Sequence, residues 1–301
     1  MDCDLRTEKL PMNILDGKKT SSEIKAEIAE EVKALVAKGG KTPHLAAVLV
    51  GSNGASITYV NAKIKDCEEV GFKSTLVKLS ETISEKELLD EVAKLNADDD
   101  IDGYIVQLPL PKHIDEHKII MAIDPEKDVD GFHPQNLGKM ALNLPTYLPA
   151  TPMGIMDLLD RYNIETGGKH CVVIGRSHIV GLPASILMAR NSYPGNATVT
   201  IAHSRTTNLR DILKTADIII AAVGKPDFVT ADMVKDGVVV IDVGTTRVVD
   251  KTKKSGYKLK GDVDFEGVSK KANFITPVPG GVGPMTRVSL LKNTLLAARV
   301  K

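Results

Sequence analysis

Two short stretches of this chain carry no polar residue on either face, and that property restricts the folds open to it. Leu45-Ala46-Ala47-Val48-Leu49-Val50 and Cys171-Val172-Val173-Ile174 are apolar throughout, so a strand built from either must be covered on both sides. Each runs into a glycine turn and then a helical pattern. A doubly buried strand followed by a helix is the unit of a parallel sheet with helices on both faces.

The alternation continues along the chain. An amphipathic helix is predicted over 21–38, closed by Gly39-Gly40, and Phe72–Leu79 alternates as a strand. Ser84-Glu85-Lys86-Glu87 reads as a capping box opening a helix to about Asn96. A strand at 103–107 and a helix near 115–122 follow. The Pro- and Asn-containing stretch 133–150 reads as a loop, after which Thr151 is the expected N-cap and Pro152 the first helical residue. Strands at 171–174, 198–202, 217–222 and 238–242 then alternate with helices at 182–190 and 208–214, and Met285–Arg299 forms a last helix. Residues 1–12 show no periodicity and read as a loose extension. The 301 residues suffice for two domains.

Composition narrows the function classes. With Lys+Arg and Asp+Glu at 39 each, the formal net charge is zero, so nothing draws the chain in bulk to nucleic acid or to an anionic membrane. Cys3, Cys67 and Cys171 lie far apart without a Cys-x-x-Cys, which points away from metal and disulfide frameworks and towards a reducing compartment. Neither a targeting pattern nor a membrane-length apolar run is visible. A cytoplasmic protein without a bound metal is expected.

The chemistry concentrates in two places. Tyr59 and Lys63 are four residues apart on a predicted helix, so they stack on one face. Such a pair is commonly no more than a packed tyrosine beside a lysine stem, but a phenol and an amine on one turn can also share a proton and hold a substrate. The second place is Gly175-Arg176-Ser177, which turns directly off a buried strand. Backbone N–H groups and a helix N-terminus there would face a phosphate. The next strand ends in His203-Ser204-Arg205, without the acid that would bond the ribose of NAD. Arg176, Arg205 and Ser204 instead suit a 2′-phosphate, which selects NADP. Two further strand ends, Ala222-Val223-Gly224 and Val243-Gly244-Thr245, let a nicotinamide and its ribose approach the backbone.

Five motifs in this order carry a resemblance: Tyr59-Val60-Asn61-Ala62-Lys63, Val106-Gln107-Leu108-Pro109-Leu110-Pro111, Asp128-Val129-Asp130-Gly131, Gly175-Arg176-Ser177, and Thr276 to Thr286 with its Pro-Gly-Gly-Val-Gly-Pro centre. Together they are similar to the bifunctional methylenetetrahydrofolate dehydrogenase/methenyltetrahydrofolate cyclohydrolase family, from about Asn13 to the C-terminus. The resemblance implies an α/β fold of two domains: an N-terminal folate-binding catalytic domain (1–150 plus 285–301) and a Rossmann-type NADP domain (151–284), with the C-terminal helix returning to the first. It implies Lys63 as the central catalytic residue, Tyr59 stacking on the pterin, Gln107 tuning Lys63, Asp130 binding the pterin, and Pro279, Gly280 and Gly283 lining the cleft. NADP contacts are expected from Thr151, Gly175, Arg176, Ser177, Ser204, Arg205, Ala222, Val223, Gly224, Val243, Gly244, Thr245 and Thr286. Tetrahydrofolate derivatives are the implied substrates, and a homodimer through the Rossmann domain the implied assembly.

Two other enzyme readings fit less well. In a short-chain dehydrogenase the Tyr-x-x-x-Lys pair follows the glycine turn, whereas here it precedes it. A dehydrogenase lacking cyclohydrolase activity would not need both Lys63 and Gln107.

Overall fold

The computed structural model describes residues 12–253 and 256–300. Apart from Met12, the stretch expected to be a loose extension lies outside them, as does Cys3. The first half runs β1 (Asn13–Ile14), α1 (Gly17–Ala37), β2 (His44–Val50), α2 (Gly54–Val70), β3 (Lys73–Leu79), α3 (Glu85–Ala97), β4 (Gly103–Val106), α4 (Glu116–Ala122) and α5 (Pro134–Ala141). The second begins with α6 (Ala150–Arg161), β5 (His170–Ile174), α7 (Gly181–Ala189), β6 (Thr198–Ala202), α8 (Leu209–Thr215), β7 (Ile218–Ala221) and β8 (Val239–Asp242). It ends with β9 (Thr246–Val249), β10 (Tyr257–Lys260), α9 (Phe265–Val268), β11 (Phe274–Ile275) and α10 (Val282–Val300).

Two parallel sheets result, of order β3-β2-β4 and β1-β11-β8-β7-β5-β6, with β9 and β10 forming a separate antiparallel hairpin. The two-sided burial of β2 is visible residue by residue. Leu45, Ala47 and Leu49 enter one apolar cluster, and Ala46, Val48 and Val50 another, with Leu88 and Tyr104. β5 divides likewise: Cys171 and Val173 join the first cluster, Val172 and Ile174 a third. The first cluster therefore belongs to both sheets. Between them lie α1, α6 and α10, contributing Ile24, Ile28, Ile155, Leu159, Met285 and Leu291 among others.

Local chemistry moves several boundaries. α1 starts a turn before Ser21 because Asp16 caps it, its Oδ1 accepting from the Lys19 N–H at 2.9 Å. Asn53 caps α2, accepting from the Ala55 and Ser56 N–H groups. The stretch 133–150 is not all loop, since His133 as cap and Pro134 at the first turn start α5. α6 begins at Ala150 behind Pro149, without a side-chain cap, so Thr151 already lies inside it. Asn13 and Ile14 pair with β11, not with the first sheet. Their backbone satisfies an otherwise open edge through Asn13 N–H to Asn273 O and Leu15 N–H to Ile275 O, both 2.9 Å. Among the described residues no helix is long and apolar enough to cross a membrane.

α10 fastens the halves together. It packs on α6 and on α1, and Asn293 donates to Val129 O (2.8 Å) and Leu148 O (2.9 Å). The loop entering α10 presses on α1, where the Lys18 N–H donates to Gly280 O at 2.8 Å. A Cβ on Gly17 would stand 1.8 Å from Gly281 O. Gly→Ala in an unobstructed helix stabilises by about 0.5–1 kcal/mol. Gly17→Ala is expected to reverse that sign and destabilise by about 1–3 kcal/mol, as overpacking does. The urea midpoint should fall at unchanged slope; a rise would contradict the contact.

Candidate active site

β2 is the centre of the small sheet, flanked by β3 and β4. Ligands of open α/β sheets sit where the connections diverge, beyond the carboxyl ends of the strands; here that is the space beyond Val50 and Val106. α2, which follows β2, is fixed at both ends: Asn53 caps its start, and Gly71 closes it in the left-handed conformation (φ 79°). It carries Tyr59 and Lys63 towards that space. The Lys63 amine sits 5.3 Å from the centre of the Tyr59 ring and donates to Gln107 Oε1 at 3.2 Å. Gln107 is the first residue past β4. Its N–H is held by Val48 O (2.9 Å) and its Nε2 by Leu108 O (2.7 Å), which leaves Oε1 facing the amine.

Lys63 is 6% exposed. Burial holds its amine below the usual lysine range, with Asp130 and Cys67 pulling the other way. Burial equally lifts the Asp130 carboxyl above the usual range, and Lys63 opposes that. Tyr59 is raised by burial, against the charge of Arg287 and a hydrogen bond with Thr286. Asp130 is set in place through Asp128, which bridges to Tyr104 and accepts from His133 N–H (2.7 Å) and Asn136 Nδ2 (2.9 Å). An amine that favours its neutral form, beside a half-buried carboxyl and an aromatic face, can move a proton and bind a polar heterocycle.

The Pro/Gly segment runs from β11 to α10. Pro279 is exposed, and Gly280 and Gly283 are partly so. Thr286 hydrogen-bonds Thr151 at 3.0 Å across the α6–α10 contact. Both are among the expected cofactor contacts; Thr286 also interacts with Tyr59 of α2.

The large sheet has its own divergence, between β5 and β7. Gly175 N–H donates to Ala202 O and Ala222 N–H to Ile174 O, each at 2.8 Å. Gly175 and Gly181 have no room for a side chain: a Cβ on Gly175 would lie 2.3 Å from Ala222 O, and one on Gly181 2.3 Å from Gly175 O. The turn and the start of α7 are packed backbone against backbone. Arg176, Ser177, Ser204 and Arg205 are exposed around this turn, and among the described residues neither arginine takes part in an ion pair. Two free guanidinium groups and two hydroxyls beside a glycine turn fit a phosphorylated dinucleotide.

Two carboxylates that the sequence did not single out shape the remaining loops. Asp262 accepts from the N–H groups of Val223 (2.6 Å), Gly224 (2.9 Å) and Lys225 (2.8 Å). Asp242 accepts from Gly244 (2.9 Å), Asp262 (2.8 Å) and Val263 (3.0 Å), and burial pushes its carboxyl up to about 6. The strand ends 222–224 and 243–245 thus hang from one another through these two side chains. The only signal in the sequence is aspartate beside glycine, which marks any turn.

Comparison with known proteins agrees in both halves. Residues 15–130 match the family model "Tetrahydrofolate dehydrogenase/cyclohydrolase, catalytic domain", and 149–301 its "NAD(P)-binding domain". A Cytophaga hutchinsonii protein named Bifunctional protein FolD is 69% identical over 290 residues, covering 96% of this chain and 100% of that one. The solved bifunctional FolD from Campylobacter jejuni is 48% identical with a TM-score of 0.90, over 96% of this chain and 99% of its own. The Trypanosoma brucei dehydrogenase-cyclohydrolase, solved with NADP and an inhibitor, is 40% identical with a TM-score of 0.91, over 95% and 97%.

Asp262→Ala removes the acceptor of three N–H groups at once. Gly224 and Lys225 are exposed, so water can take over their N–H groups, and the variant should lose about 1–3 kcal/mol, the usual cost of leaving one group unpaired. An unchanged unfolding midpoint would show that the loop holds itself.

Proposed function

This chain belongs to the tetrahydrofolate dehydrogenase/cyclohydrolase family, and from that premise we propose how its residues divide the two reactions. The enzyme oxidises 5,10-methylenetetrahydrofolate to 5,10-methenyltetrahydrofolate with NADP⁺ and hydrolyses the product to 10-formyltetrahydrofolate. When bound, NADP⁺ supplies the acceptor for the hydride leaving the methylene carbon.

In our reading Tyr59 stacks on the pterin, Asp130 binds its amino and ring N–H edge, and Pro279, Gly280 and Gly283 border the cleft. Arg176, Ser177, Ser204 and Arg205 hold the dinucleotide phosphates at the Gly175 turn, and the 222–224 and 243–245 loops, with Thr151 and Thr286, complete the cofactor side. Lys63 acts in the hydrolytic step. The methenyl group is a cation, which a protonated lysine would repel; a neutral amine can take the proton of the attacking water. Gln107 orients that amine. The observation that carries the assignment is the buried amine whose donor is met by Gln107 Oε1 at 3.2 Å. Residues 1–150 with 285–301 then form the folate domain and 151–284 the NADP domain, with β1 lent to the second sheet.

We further propose a cytoplasmic homodimer that supplies formyl groups to purine synthesis. Support for the dimer is physical: β6 is the open edge of the six-stranded sheet and leaves Ile201 exposed.

Lys63→Met removes the amine and keeps a similar stem. Cyclohydrolase turnover should drop by about 10²–10⁴-fold, the usual worth of a positioned base, while dehydrogenase activity persists and methenyltetrahydrofolate accumulates. In the unaltered enzyme the cyclohydrolase rate should rise with pH through an apparent pKa below the roughly 10.4 of free lysine. Full cyclohydrolase turnover in Lys63→Met would remove Lys63 from the role of base.

Arg176→Ala tests the cofactor side. Each charge-assisted phosphate contact is worth about 1.5–3 kcal/mol, so KM for NADP⁺ should rise roughly 10–150-fold, with little change for NAD⁺. Equal losses for both cofactors would take Arg176 away from the 2′-phosphate.

A further inference from the structure

None of the roles above uses Asp66 or Arg287, yet both pack beside Lys63. Asp66 is three residues beyond it on α2 and 5% exposed. Arg287 follows Thr286 in the first turns of α10. Arg287 Nε lies 2.6 Å from Asp66 Oδ2. The other carboxylate oxygen accepts from Lys25 of α1 at 3.1 Å, and Lys25 also meets Glu69 at 2.5 Å. Each oxygen of Asp66 thus faces a cation from a different helix; the Arg287 contact is an ion pair without hydrogen-bond geometry, and it places the guanidinium at the turn of α2 that follows the active amine.

A clamp between helices needs no such address. A cation held there has a further effect, because like charges a few ångströms apart in a partly desolvated site disfavour each other. The groups facing the Lys63 amine are Tyr59 and Cys67 from its own helix, Gln107 from the end of β4, Asp130 from the loop beyond Asp128, and Arg287 from α10. Asp130 favours the ammonium form; the Cys67 thiol, pushed up to about 12 by burial, stays uncharged, and Arg287 is the one cation among these neighbours. We propose that Arg287, anchored by Asp66, is a positioning residue of the hydrolytic step: it sets a fixed positive charge beside Lys63 and so opposes protonation of the amine. Asp130 can then serve the folate as a carboxylate without converting Lys63 into an ammonium ion. The inference rests on the reading of Lys63 as base.

The test is the pH profile of cyclohydrolase kcat/KM in the full-length enzyme. Arg287→Met should move the acidic limb to higher pH by about one unit, seen as a roughly tenfold loss at a fixed pH on that limb. Arg287→Lys, which keeps the charge, should leave the limb near its original place. Asp66→Asn removes the neutralising anion and should move the limb the other way, to lower pH. The dehydrogenase profile should not follow these shifts. A merely structural clamp would lower activity in Arg287→Met and Asp66→Asn alike, without opposite displacements. Coincident limbs in Arg287→Met and the unaltered enzyme, or displacement of both variants in one direction, overturn the proposal. Should Arg287→Met not fold, Asp66→Asn decides: an unmoved or raised limb overturns it. Lys63→Met separates the two levels. If that variant keeps cyclohydrolase turnover, the base assignment fails and this inference with it; if it loses turnover while the limbs coincide, only the role of Arg287 falls.

Discussion

One apolar cluster lies against both sheets, and the geometry of the site depends on it. Leu45, Ala47 and Leu49 of β2 and Cys171 and Val173 of β5 bury into the same core, with α1, α6 and α10 filling the interval. The two sheets are therefore held to one another through a single close-packed core. Close-packed interiors tolerate little volume change. That stiffness suits a reaction in which a carbon of one ligand must meet a ring of another, because an ångström of misplacement costs about 10²-fold in rate. The glycines at 17, 175 and 181 serve the same end by letting backbone meet backbone.

Within that frame the folate side balances groups that burial pushes towards neutrality. The Lys63 amine and the Asp130 carboxyl are each driven from the charged form by desolvation, and each restores some charge to the other. Each tendency has a functional side: an ammonium at the ordinary lysine value would repel a cationic intermediate, and a carboxyl that burial kept protonated would accept less well, which Lys63 counteracts. The opposed tendencies leave proton positions open to influence by whatever enters the cleft.

Much of this was legible in the sequence because it follows from short-range rules. The strand runs and the Ser84–Glu87 box are local chemistry, and the structure keeps them. Tyr59 and Lys63 were brought together by helical period alone. Gln107 and Asp130 were reachable only through the resemblance, since nothing local says which residue faces an amine on another element. α5 was missed because its cap is a histidine, and α6 was started late because Pro149 offers no side-chain acceptor. The β9–β10 hairpin was missed for its mixed polar alternation and shortness. Asp262 was hidden because its partners are backbone N–H groups, which every residue but proline has. Asp66 and Arg287 stand in different halves of the chain, and a pairing between them has no local signature.

The last helix has a consequence for how the protein comes into being. α10 leaves the ribosome after every other described element, yet Asn293 within it ties down Val129 and Leu148, and Met285 and Leu291 fill the core shared with β2. The first half is therefore synthesised early and completed late. Until the C-terminal segment emerges, the nascent chain exposes the apolar floor beneath α1, a surface that chaperones recognise and that favours aggregation. Order along the chain is thus not folding order: α1 and β2, synthesised early, wait for α10.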